Sequence, residues 1–237
     1  MAELSRHHKR AIDIIIPYQP TDQWRAQALQ FVQKRYQKQL PNARIFVQRD
    51  NSTEFNKCRA VNNAARKGNG RILMICDADC FLKSKTLAHA LDRLVERGNH
   101  YVYPYTHVDR IGKAKTREYL QGKPTVPPFH ATTDLKKSHV DTGGVILVTR
   151  TAFEAVSGMD ERFHSVYGAE SVSFTNSIKR LFKPVPRIQA RLYHLWHPKF
   201  KRTGHPKQKA NRALQKRYCK NHINDLHQVI SEKKPIK

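Results

Sequence analysis

Acidic residues are scarce in this chain. Nineteen Asp and Glu stand against 44 Lys and Arg over 237 residues, a formal net charge of +25. None falls between Glu170 and Asp225, an interval that carries fourteen Lys and Arg and four His. Solubility needs far less charge than this, and such a field attracts polyanions, so a nucleic acid or an anionic membrane surface is expected as partner. Cysteine is sparse too. Cys58, Cys76, Cys80 and Cys219 show no CxxC spacing, which excludes a disulfide framework and a four-thiolate zinc site. Cys76 and Cys80 flank the triplet Asp77-Ala78-Asp79, but a strand end and a loop make a poor zinc site without further ligands, so the thiols read as buried and reduced. No apolar run approaches the length that crosses a bilayer, and the first sixteen residues, MAELSRHHKRAIDIII, lack a small-residue cleavage site. The chain therefore reads as cytoplasmic. Internal repeats and a clear second domain are also missing. A chain of this length supports one sizeable core, expected over about residues 12–198, with a basic extension over 199–237.

What is present is organised around Arg71 to Leu82, RILMICDADCFL. The run Ile72–Cys76 is too short for a helix and rich enough in branched residues for a buried strand. Asp77 and Asp79 follow at its carboxyl end, where open α/β sheets place their ligand crevices. In an extended chain, residues two apart point the same way, so both carboxylates can reach one ion. A hard cation, Mg²⁺ or Mn²⁺, takes such oxygen ligands and keeps positions open for substrate phosphates.

The rest of the chain alternates. IDIIIPY (12–18) reads as a first strand, followed by a helix capped at Thr21 or Asp22 and running to about Gln39. ARIFVQ (43–48) reads as a second strand, and 56–67 as a helix closed by Gly68 and Gly70. Helix 85–97, strand 101–105, a strand ending at Thr149, a helix from Thr151, a helix through Leu181 and strand 190–196 follow. Residues 109–139 lose periodicity and read as a long loop. One basic helix is expected over 207–229. This order predicts an α/β fold with a mostly parallel, doubly wound sheet flanked by helices.

Several of these pieces, in this order, resemble the nucleotide-sugar glycosyltransferases of the GT-A fold: IDIIIPY, Asp50 after the second strand, the DAD triplet, DTGGVILVTRTAFEAVSGMDERF, YGAES and HLWHP. The resemblance covers about residues 12–198. It implies a UDP-sugar donor and Mn²⁺ or Mg²⁺ as cofactor, the cation neutralising charge on the leaving diphosphate. Asp77 and Asp79 would hold the metal, with His194 or His197 adding an imidazole. Pro17, Asp50, Arg59, Asp77 and Ala78 would form the donor side. Asp141, Gly143, Gly144 and Trp196 would line the acceptor side.

At the catalytic base the chain departs from this pattern. Where inverting members carry Gly-Glu-Asp, the aspartate position here is Ser171, which has no useful basicity at neutral pH. Glu170 is the first replacement, with Asp160 and Glu161 of the GMDERF turn as alternatives. Retaining relatives need no such base, so the stereochemistry stays open. Charge alone points to the acceptor. The acid-free C-terminal third suits a phosphate backbone, and a hydroxymethylated pyrimidine in DNA, as in bacteriophage DNA modification, offers a hydroxyl; the enzyme would then work in the host cytoplasm. Reaching such a base requires flipping it out, a task assigned to loop 109–139. A glycosyltransferase of lipopolysaccharide or capsule synthesis at an anionic membrane surface is the alternative acceptor reading. A catalytically dead nucleic-acid-binding protein and a metal nuclease are the remaining alternatives.

Overall fold

The computed structural model describes residues 12–50, 54–95, 97–123, 131–134, 143–164, 169–198, 207–220 and 222–236. Its central sheet has the order β2-β1-β3-β8-β5, built from β1 (Ile12–Pro17), β2 (Arg44–Gln48), β3 (Ile72–Cys76), β5 (Tyr101–Val102) and β8 (Val145–Thr149). β1 pairs in parallel with β2 and β3, whereas β8 runs antiparallel to both β3 and β5. Four strands thus share one direction and β8 reverses it.

Side chains alternate across the pleat. Ile14, Ile16, Met74 and Leu147 face one buried cluster, while Ile15, Leu73, Ile75 and Val148 face the other. Helices α1 (Gln23–Gln39) and α3 (Ser84–Val95) cover the first face with Ala28, Leu29, Val32, Leu87 and Leu91. Helices α2 (Lys57–Lys67), α5 (Arg150–Ala155) and α6 (Ala169–Leu181) cover the second. Burying each Ile or Leu contributes about 1.5–3 kcal/mol, so the run of three fully buried isoleucines in β1 anchors both layers. Asp22 caps α1, its carboxylate accepting from the Arg25 amide at 3.0 Å.

A second sheet was not expected. Its order is β4-β9-β6-β7, from β4 (Cys80–Phe81), β6 (His107–Arg110), β7 (Ala131–Asp134) and β9 (Arg191–His194). The stretch 109–139 is therefore not one long loop, since β6 runs into it, β7 lies in it, and α4 (Lys113–Leu120) lies between them. Only Thr116 of α4 is buried, which explains the missing apolar period. The expected basic helix 207–229 is two helices, α7 (Lys207–Tyr218) and α8 (Ile223–Ser231). Their buried Tyr218, Leu226, Val229 and Ile230 join the second core face. Among the described residues, no helix is long and apolar enough to cross a membrane.

Candidate active site

Two strand pairings assemble the site. Because β8 is antiparallel to β3, its N-terminal end meets the C-terminal end of β3, where Cys76 pairs with Val145 and the Asp77 amide donates to the Gly144 carbonyl at 2.7 Å. This brings the glycine pair beside the DAD triplet. Gly144 has φ +107°, and a Cβ there would lie 2.5 Å from Leu192, so glycine is required. A Cβ on Gly143 would lie 3.1 Å from Ser171 Oγ, 3.4 Å from Lys57 Nζ and 3.7 Å from Asp77 Oδ2. Gly143, Ser171, Lys57 and Asp77 thus share one corner. In the second pairing, β4 runs antiparallel to β9 with Cys80 opposite His194, and the Leu195 amide donates to the Asp79 carbonyl at 2.8 Å. The late histidines are thereby placed on Asp79.

The triplet is a turn rather than an extended chain, closed by the Cys80 amide donating to the Asp77 carbonyl at 3.1 Å. Asp77 and Asp79 accordingly have different partners. Asp77 Oδ1 accepts from Lys57 Nζ at 2.5 Å. Burial works against the Lys57 ammonium, but Asp77 and Glu170 outweigh it and raise its pKa above the ordinary lysine range. Asp79 is 4% exposed. Its Oδ1 lies 3.4 Å from His194 Nε2, and its Oδ2 lies 3.4 Å from His197 Nε2 and 3.6 Å from an Arg25 nitrogen. These nitrogens stand beyond ordinary hydrogen-bond distance. Burial raises the Asp79 pKa, yet His194, His197 and Arg25 outweigh it and hold the carboxyl ionised well below the usual range. Burial lowers His194, but Asp79 prevails and raises it. Burial, with Arg25 and His194, keeps His197 below its ordinary value against the pull of Asp79, and an Arg25 nitrogen lies 3.2 and 3.4 Å from its two ring nitrogens.

A buried carboxylate ringed by imidazoles at stand-off distance suits a divalent ion. The Asp79 carboxylate and the two imidazoles 3.4 Å from its oxygens are donors of the kind that divalent first-row ions accept. The donor set fits a divalent cation, which would supply charge neutralisation to an anionic ligand.

On the donor side, Pro17 ends β1 and Ala78 is buried in the turn. Asp50 and Arg59 form a bidentate pair, Nε to Oδ1 at 2.9 Å and a terminal nitrogen to Oδ2 at 2.6 Å, and Asp50 also accepts from the Asn56 amide at 2.7 Å. Asn56 caps α2 by accepting from the Arg59 amide at 3.0 Å, and donates to the carbonyls of Glu161 and Phe163 at 2.8 and 3.1 Å. The GMDERF turn thereby holds the end of α2 that presents Lys57 and Arg59. Lys57 was not singled out from sequence. Its signal is a basic residue directly after a capping asparagine, which puts it in the first turn of a helix.

The three expected bases are placed differently. Glu170 sits in the first turn of α6, next to Ser171 and in the field of Lys57. Asp160 is bound on both oxygens by Arg162 and accepts from the Tyr218 hydroxyl at 2.7 Å. Glu161 accepts from the Asn62 side-chain Nδ2 at 2.9 Å. Trp196 packs edge-on against Trp24 with centroids 5.0 Å apart, and Lys113 lies over both rings. Asp141, together with Tyr167 and Gly168 of YGAES, lies outside the described residues.

A mixed sheet thus carries a carboxylate-and-imidazole cluster at the carboxyl end of β3, with a glycine pair delivered beside it by the reversed strand. The solved structures agree in fold. The catalytic domain of Drosophila β1,4-galactosyltransferase 7 with xylobiose is 19% identical at TM-score 0.52, with 85% of this chain and 79% of that one covered. A mutant of that enzyme with manganese, UDP-Gal and xylobiose gives 16% and 0.56 over the same shares. S. aureus TarS 1–349 with UDP-GlcNAc gives 11% and 0.59, over 93% of this chain and 70% of that one. No curated protein matches the sequence. The family model for glycosyltransferase-like family 2 matches residues 14–199; the chain belongs to that family and is a glycosyltransferase.

Proposed function

We propose that this glycosyltransferase moves a sugar from a UDP-sugar to an acceptor hydroxyl with the help of Mn²⁺ or Mg²⁺. The observation that carries the reading is Asp79, a buried, ionised carboxylate with two imidazoles standing 3.4 Å away. The manganese and UDP-Gal of one structural neighbour and the UDP-GlcNAc of another support it. Asp79 and His194 would hold the cation, with His197 beside them on the other carboxylate oxygen, and the cation would supply charge neutralisation to the leaving diphosphate. Asp77 sets the position of Lys57, whose ammonium faces the same developing charge. Asp50, oriented by Arg59, accepts from the nucleoside. Pro17 and Ala78 give it an apolar wall.

Glu170 takes the acceptor proton. Of the three carboxylates it is the one in the Lys57–Ser171–Gly143 corner, whereas Asp160 is committed to Arg162 and Tyr218. The acceptor comes in over Gly143 and past Trp196.

The acceptor is anionic, and the form to test first is a hydroxymethylated pyrimidine in DNA, with the enzyme in the cytoplasm. Several C-terminal cations are spent inside the fold: Arg217 on Glu232, Arg191 on Asp109, and Arg180 on the His222 carbonyl. Lys113 and Arg117 of α4, over Trp24 beside the metal cluster, add positive charge nearer the chemistry. The test is transfer of labelled sugar from a panel of UDP-sugars, with Mn²⁺, to DNA containing 5-hydroxymethylcytosine or 5-hydroxymethyluracil against unmodified DNA. Label on modified DNA alone establishes the acceptor. UDP release without labelled DNA keeps the donor chemistry and moves the acceptor to a glycan or a lipid-linked sugar.

A further inference from the structure

Position 80 is a cysteine, and the fold aims it at the metal cluster. The β4–β9 pairing sets Cys80 opposite His194. Its Sγ lies 3.5 Å from Asp79 Oδ1, and the same oxygen lies 3.4 Å from His194 Nε2. All three ligand atoms fall within 4.8 Å of one another. A tetrahedral ion bound at about 2.1 Å by oxygen and nitrogen and about 2.3 Å by sulfur puts those ligands about 3.4–3.6 Å apart. Two of the three edges already have that length. The neighbouring thiol does not compete, because Cys76 Sγ is directed at the carbonyls of Asp77 and Cys80 at 3.2 and 3.3 Å.

We propose that Cys80 is a ligand of the metal, together with Asp79 and His194, and that the site takes a thiophilic divalent ion, Zn²⁺ or Co²⁺, ahead of Mn²⁺ or Mg²⁺. The inference rests on the metal-dependent reading above and alters its ligand set. A sequence view rejects Cys80 as a zinc ligand for want of partners; the long-range pairing supplies them. Thiolate and imidazole favour softer ions, whereas an all-oxygen site favours Mg²⁺ or Mn²⁺. On binding, the sulfur–metal bond forms, the S–H bond breaks and its proton passes to solvent, with no change of oxidation state. His197 faces the other Asp79 oxygen and is not part of this set, so three protein ligands would leave room on the ion for a donor phosphate oxygen, as at catalytic rather than structural sites.

The experiment uses the full chain carrying Cys219→Ser, which removes the exposed thiol. Co²⁺ is titrated in and followed by absorption and by X-ray absorption at the cobalt edge. The expected result is a thiolate-to-cobalt charge-transfer band and one sulfur scatterer. Adding Cys80→Ser should abolish both and lower Zn²⁺ affinity relative to Mn²⁺ by at least the tenfold or so that loss of a ligand's own partner costs. Cobalt bound by oxygen and nitrogen alone overturns the proposal, as does a charge-transfer band that survives Cys80→Ser. The scattering is read with Cys80 intact, so a poorly folded serine variant does not blunt it. Asp79→Asn separates the two claims. If Mn²⁺ and Co²⁺ bind that variant as they bind the parent, the metal reading at Asp79 falls as well; if binding is lost but no sulfur was seen, only the thiolate falls.

Discussion

The two ends of the central sheet each bury a carboxylate, and they treat it in opposite ways. At the N-terminal end of β1, Asp13 is fully buried and closely bound. It accepts from Arg44 at 2.9 and 2.7 Å, from the Gly70 amide at 2.7 Å and from Arg150 at 3.1 Å. At the C-terminal end of β3, Asp79 is almost as buried, but its nitrogen neighbours stand at 3.4–3.6 Å, and two of the three are imidazoles. Guanidinium groups stay charged and cannot yield to a metal, whereas imidazole can lose its proton and ligate. The first end is closed and structural. The second holds charge in readiness, and the difference lies in the partners rather than in burial.

Exchanging the properties of these ends tests the contrast. Asp79→Asn should cut transfer by about a thousandfold or more, the scale of losing a principal electrostatic stabiliser; Mn²⁺ titration should show binding lost and circular dichroism the fold kept. Asp13→Asn should do the reverse. Leaving Arg44 and Arg150 beside a neutral amide should cost about 3–5 kcal/mol in denaturant unfolding, with transfer per folded molecule unchanged. Lys57→Met should lower kcat/KM about a hundredfold, with Mn²⁺ affinity much less affected, because the ion pair that Lys57 loses is the one with Asp77.

The smallest effect concerns a third carboxylate cluster, which ties the C-terminal helices to the GMDERF turn. Two arginines, Arg217 and Arg162, hold Glu232 down at about 2. Burial raises Asp160, but Arg162 and Tyr218 outweigh it and lower it below 3.8. Both groups are ionised more readily folded than unfolded, so their contribution is fully present above about pH 4.5. It should fade as pH falls from there towards 2. Hydrogen exchange in α8 should therefore rise in that window before exchange in β1 and β3, and Arg162→Met should flatten the response.

Much of this was legible in the sequence because it is local. The three isoleucines of β1, the Ile72–Cys76 run, the Asp22 cap and Gly68 at the end of α2 are readable from neighbours in the chain. The second sheet was not, because HVDR and ATTD carry no apolar alternation and form only where β9 returns beside β6. Asp79 and its histidines could be named from the motif order, and the turn at Ala78 is local, closed between Asp77 and Cys80, but the pairing that sets Cys80 against His194 depends on contacts more than a hundred residues apart. Net charge misled in part for the same reason. It counts cations without showing that Arg217, Arg191 and Arg180 have partners within the fold.

The central claim, a nucleotide-sugar enzyme whose cation sits on Asp79, is tested most directly by release of UDP from UDP-sugars with and without Mn²⁺, in the parent protein and in Asp79→Asn. The account predicts release that needs the metal and vanishes in the variant. Equal release without metal, or by Asp79→Asn, would contradict it.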